Sequence, residues 1–177
     1  VSRRIALVTD STCNLPADLA AERHIYVAPL YILWNNDSYR DGLDITTEAF
    51  YTRLATSDTL PTTSQVSVKD FVEMFQRARE AEQADEVICA VVSSGISGTY
   101  SSALQATTQV DFPVRLIDTL QVSWALGFPV LAGADARDAG EDADSIEQAI
   151  RSAMVRQRLI FTIDSLEYLH KGGRIGN

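Results

Sequence analysis

Four short apolar runs constrain what this chain can fold into. Residues 4–9, 86–92, 114–117 and 159–163 are rich in Ile, Val and Leu, and each stops abruptly at polar residues. Three stop at an Asp followed by Ser or Thr (Asp10-Ser11, Asp118-Thr119 and Asp164-Ser165), and the fourth stops at Ser93-Ser94. Runs this short and this continuous suit strands buried on both faces of a parallel sheet.

Helical signals fill the gaps between them. Residues 16–24 place Pro16 in the first turn of a short helix, and residues 46–56 read as a second. Ser67 is an N-cap for a helix running to Gln83, with Val68, Phe71, Val72 and Phe75 on one face. Residues 99–110, 123–138 and 165–171 are further helical segments. Asp144 and Glu147 have capping-box spacing for a helix carrying Ile146, Ala149, Ile150 and Ala153. Residues 25–34 read as one more strand, and Asn35-Asn36-Asp37 turns the chain back through residues 38–40 as a hairpin. Residues 57–67, rich in Ser and Thr around Pro61, read as loop. Strands alternating with helices predict an α/β fold with a mainly parallel sheet and flanking helices.

Charge removes some function classes. The net charge of −9 argues against nucleic acid and against an anionic membrane face, since both are held by clustered Lys and Arg. Backbone amides and hydroxyls can still hold a small anion. No apolar run is long enough to span a bilayer, so no stable membrane insertion is expected. Cys13 and Cys89 are far apart and form no CxxC pair; two buried free thiols in a cytoplasmic protein are expected, with no disulfide or metal site.

Ligands of parallel sheets gather beyond the carboxyl ends of the strands. Of the loops there, Ser93-Ser94-Gly95-Ile96-Ser97-Gly98-Thr99 is the most informative. Its glycines allow close approach of a ligand, and the helix that follows aims free amides into the loop. Two readings stand for it, an anion cradle or ordinary helix capping. Two readings also stand for Pro61-Thr62-Thr63-Ser64-Gln65: a solvated linker, or a cover that supplies hydroxyl donors to the first loop. For Asp118 and Asp164 the plain reading is helix capping or turn closure.

The ordered set Thr9-Asp10-Ser11-Thr12, Pro61-Thr62-Thr63-Ser64-Gln65, Ser97-Gly98-Thr99-Tyr100 and Leu166-Glu167-Tyr168-Leu169-His170-Lys171-Gly172-Gly173-Arg174-Ile175 resembles the DegV family. That family comprises bacterial proteins that bind a long-chain fatty acid in a tunnel between two domains. The resemblance implies an N-terminal α/β domain over residues 1–157 and, over residues 158–177, the start of a second, lipid-covering α+β domain whose remainder is absent. It implies that Thr63 and Ser97, with Thr62 and Gly98 beside them, receive the fatty acid carboxylate, and that Arg174 and Ser11 contact the head group or a partner. It further implies a non-catalytic protein without a cofactor, and for some members a fatty acid kinase partner. The stretch from Lys171 to Ile175 reads as a connection onward, so the chain is expected to be a truncated or fragmentary one.

Two rivals remain on residue chemistry. A serine hydrolase would use Ser97 as nucleophile, but the local Gly-Ile-Ser-Gly lacks GxSxG spacing, and His24 and His170 are the available bases. A phosphosugar-type binder would use the same Gly/Ser loop, although no Walker lysine follows it where Thr99-Tyr100-Ser101 stands.

Overall fold

A computed structural model describes residues 3–175. Its centre is β1 (Ile5–Asp10), every residue of which is buried. β1 lies parallel to β2 (Ile25–Ala28) on one side and to β6 (Glu86–Val91) on the other, and β7 (Val114–Asp118) completes the order β2-β1-β6-β7. The expected mainly parallel α/β architecture is the one observed.

Period-two alternation divides the sheet's side chains between two cores. Ile5, Leu7, Ile88 and Ala90 face α1 (Ala17–Glu22), α5 (Trp124–Asp138) and α6 (Ala143–Arg156). Ala6, Val8, Val87, Cys89 and Val91 face α3 (Val68–Glu82) and α4 (Thr99–Thr107). Ser67 caps α3 as expected, and the Asp70 carboxylate reaches back to the Ser67 amide to complete a capping box. Phe71, Phe75 and Ala78 carry the buried stripe of α3, while Val68 and Val72 pack at its margin.

Four expectations need correction. Residues 25–34 form two strands in different sheets: β2 ends at Ala28, and Pro29 after it has no N–H to continue the ladder. The chain then starts β3 (Tyr31–Trp34), which pairs with β4 (Asp37–Arg40) in the expected hairpin, with Asn35 in the left-handed region at φ 57°. Residues 57–67 are not loop throughout, because β5 (Thr62–Ser64) pairs antiparallel with β3, opposing Thr63 to Ile32. This small sheet packs Ile32, Trp34 and Ile45 against Phe50 of α2 (Thr47–Thr56). Residues 159–163 form no strand: no described strand pairs with them, and Ile160 is left 87% exposed. Finally, α6 is capped by Asp142, which accepts from the Ser145 amide at 2.9 Å, while Asp144 lies inside the first turn and meets Arg115. Glu167–Lys171 forms α7, close to the expected bounds. Gly176 and Asn177 lie outside the described residues.

Helices α5 and α6 approach closely at Gly133. A Cβ there would lie 2.7 Å from Cγ1 of Ile150, so Gly133→Ala should overpack the interface and cost roughly 1–3 kcal/mol, read as a lower urea midpoint with an unchanged m-value. Both cysteines are buried and free, and burial pushes the Cys13 thiol up to about 12 and Cys89 well above its ordinary value. Native protein at pH 8 should therefore leave both thiols unreacted with a disulfide reagent, and urea should expose both; fast native labelling would contradict this burial.

Candidate functional site

The carboxyl ends of β1 and β6 are tied together by one buried side chain. Asp10 accepts from the Thr12 amide at 2.9 Å, the Thr12 hydroxyl at 2.6 Å and, across the sheet, the Val92 amide at 2.7 Å. Burial pushes its carboxyl above the usual range, against the lowering effect of those three hydrogen bonds. The Val92 contact fixes where the chain leaves β6 and hence where residues 93–99 begin. The neighbouring strand end is closed by Asp118, which accepts from the Ser94 and Leu120 amides at 3.1 Å each. Turn closure, the plain reading of Asp118, is what its contacts describe. Asp164 is exposed on the irregular segment.

Within residues 93–99 the backbone folds on itself. The Ile96 and Ser97 amides both donate to the Ser93 carbonyl at 3.2 Å. Ser97 Oγ accepts from the Thr99 amide at 3.2 Å and lies 2.9 Å from Thr99 Oγ1. Gly98 is the N-cap of α4 and supplies no side-chain acceptor to the first turn, whose amides have no intrahelical partners. A half-buried hydroxyl beside these amides is an arrangement that can accept a small anion.

The second hydroxyl cluster is brought to the first by tertiary contacts. β5 is exposed along its whole length. The next residue, Gln65, reaches across to α4, where its Nε2 donates to Ser102 Oγ at 2.8 Å. Its carboxamide lies against the Gly98 backbone, so that a Cβ on Gly98 would fall 1.8 Å from Gln65 Oε1. From the other end of the chain, Arg174 Nη2 donates to Thr63 Oγ1 at 3.3 Å, while Nη1 donates to the Gly172 carbonyl at 2.6 Å.

Three of the four motif segments thus meet in one place. Thr62 stands next to Thr63 on the same strand, and strand alternation directs its hydroxyl to the opposite face of the small sheet. Ser11 is engaged elsewhere: it donates to Asp41 at 2.7 Å and accepts from the Leu30 amide at 3.1 Å. Those contacts join the end of β1 to the chain between β2 and β3 and to the turn after β4. Ser11 also lines a cleft of about 860 Å³ that runs along the β2 edge past Ala17, Ala20, Asp41, Met74 and Arg77. Neither Thr63 nor Ser97 lines that cleft, so its size does not make it the anion site. His24 also lines the cleft and pairs with Glu82 at 3.0 Å. Among the described residues no group of three or more His, Cys, Asp or Glu side chains could hold a metal, and no helix is long and apolar enough to cross a membrane.

The motif sequence contains Gln65 and Asp10 without revealing what either holds. Their partners, Ser102 and Val92, are distant along the chain, and no local spacing rule reports such contacts.

A family model described as an uncharacterised protein of the DegV family matches residues 4–177. The chain belongs to the DegV family. A DegV domain-containing protein of Clostridium perfringens is 35% identical over 177 residues, covering 97% of this chain and 62% of that protein. A fatty acid-binding protein of Thermotoga maritima is 33% identical over 181 residues, covering 97% of this chain and 61% of that protein. Among solved structures, a fatty acid-binding DegV family protein from Thermus thermophilus superposes with a TM-score of 0.86 at 34% identity, covering 98% of this chain and 61% of that one. The chain therefore spans about three fifths of the length of these DegV relatives.

Asp10 offers a direct check on the junction of β1 and β6. Asp10→Ala leaves the Val92 amide without its acceptor and should cost roughly 2–4 kcal/mol in chemical denaturation. A loss below about 1 kcal/mol would show that the strand ends are held by something else.

Proposed function

We propose that this protein binds a long-chain fatty acid non-catalytically and holds its carboxylate between the Thr63 and Ser97 hydroxyls. The observation that carries this reading is the meeting of three separate segments at one point: Arg174 on Thr63, and Gln65 on the α4 loop that bears Ser97. Hydroxyl donors, first-turn amides and a guanidinium together suit a monovalent carboxylate in a chain whose net charge is otherwise negative. The Thermotoga relative is a fatty acid-binding protein and the Thermus relative binds fatty acid, which supports the same ligand class.

The energetics divide the work between head and tail. A sixteen-carbon acid has fourteen methylenes, whose full burial at roughly 0.8 kcal/mol each provides about 11 kcal/mol. A hydrogen bond to the charged head group contributes roughly 1.5–3 kcal/mol. The tail thus supplies most of the affinity, and Thr63 and Ser97 set orientation. Leu120 after β7 and Trp124 and Phe128 at the start of α5, with Ile160, Phe161 and Leu166, leave apolar surface exposed for a tail or for a covering domain. In this proposal residues 158–177 begin that second domain, and the cytoplasmic protein presents its bound acid to a fatty acid kinase, with Arg174 near the head group or the partner surface.

Lipid extraction and native mass spectrometry of protein purified from a bacterial host should recover a fatty acid. A preparation that carries none and takes up none would end the proposal. Thr63→Ala combined with Ser97→Ala should weaken palmitic acid binding by about a hundredfold or more with the fold retained by circular dichroism. Unchanged affinity would remove both hydroxyls from the head-group role.

A further inference from the structure

The exposed strand β5 has a sheet neighbour on one side only. The order β4-β3-β5 leaves its outer edge without a strand partner among the described residues, although Thr63 sits on it. Val66, fully buried, anchors the chain just after β5, and pairing with β3 sets its direction. Neither contact sets the gap between β5 and the loop that carries Ser97. The side chain of Gln65 spans that gap: its Nε2 donates to the buried Ser102 hydroxyl, and its carboxamide fills the space where any residue other than glycine at position 98 would place a Cβ.

We infer that Gln65 is the positioning residue of the head-group site, a spacer matched to Gly98 that sets the separation between Thr63 and Ser97 and so makes the site selective for a carboxylate. The inference rests on the fatty acid reading above and deepens it by assigning head-group selectivity to a residue that need not touch the ligand. Its physical basis is reach. Hydrogen bonds weaken steeply when donors are displaced beyond normal length, so two donors serve one carboxylate only while their spacing is held. Gly98 and Gln65 are also coupled: a methyl group at position 98 collides with the Gln65 carboxamide and would turn it away from Ser102, while removal of the Gln65 side chain removes the collision.

Three variants and two kinds of measurement test this. Palmitic acid and hexadecanol share a tail and differ in head group, so their affinities separate carboxylate recognition from tail burial. Gln65→Ala should lower palmitic acid affinity by about tenfold and leave hexadecanol affinity within about twofold, as loss of one alignment contact would. Gly98→Ala should do the same in the wild-type background and add little in the Gln65→Ala background. Gln65→Glu replaces the Nε2 donor with a carboxylate that the Ser102 hydroxyl can donate to instead, and brings a negative charge to the site, so it should lower acid affinity while leaving hexadecanol unaffected.

Amide hydrogen exchange supplies a readout independent of any ligand. Residues 62–64 should exchange several-fold faster in Gln65→Ala, while α3 keeps its protection and Gln65→Glu stays near wild type. Equal loss of acid and alcohol affinity would make Gln65 a merely structural residue and overturn the inference. So would unchanged acid affinity, or unchanged exchange at residues 62–64, in Gln65→Ala. If the wild-type protein binds neither probe, the fatty acid reading fails on that result, and faster exchange in Gln65→Ala would still support the spacer while unchanged exchange would refute it.

Discussion

Two adjacent parallel strands buried on both faces govern the rest of this molecule. β1 and β6 expose no residue, and parallel strands cannot be joined by a tight turn. The chain must therefore cross over through helices, which also supply the apolar cover both faces need. Every such return leaves the carboxyl ends of the strands together at one rim. Asp10 then locks that rim by joining the end of β1 to the start of the loop after β6. The position of Ser97 is a consequence of this arrangement, because its loop begins where that lock is made.

The two ends of the sheet are treated differently. At the amino end of β6, the buried Glu86 carboxylate meets the Arg115 guanidinium, which also reaches Asp144 and Glu147. That charge cluster ties β7 to α6. At the carboxyl end, hydroxyls and backbone amides dominate, and Arg174 arrives from a distant part of the chain. A structural ion network at one end and a hydroxyl-lined loop at the other fit the general rule that parallel sheets bind ligands at their carboxyl edge.

The small sheet stands apart from the main one. It has its own compact cluster around Trp34, whose indole N–H donates to Ser57 at 3.1 Å and whose ring lies 4.4 Å from the Arg53 guanidinium carbon. This cluster is separate from the two cores of the main sheet. Its strand β5 carries Thr63 toward the α4 loop and is held there by side-chain contacts. Gln65, which follows β5, joins this sheet to the loop that bears Ser97 by lying against Gly98 and donating to Ser102.

Much of this was legible in the residues themselves. The unbroken apolar runs at β1, β6 and β7 and the capping Ser67 report local backbone preference and burial, which short spacing encodes. The motif segments around Thr63, Ser97 and Arg174 identified the family. Tertiary structure alone decided the remainder. Residues 159–163 have the composition of a strand, but a strand exists only where a neighbour satisfies its backbone, and no strand among the described residues does so. Thr62 to Ser64 look like loop until β3 offers them hydrogen bonds. Asp144 looks like a cap until Arg115 takes its carboxylate and Asp142 stands in for it. The two hydroxyl clusters were visible from the start; what joins them is a glutamine side chain lying across a glycine. Contacts between residues so far apart depend on packing distance, which sequence spacing does not carry.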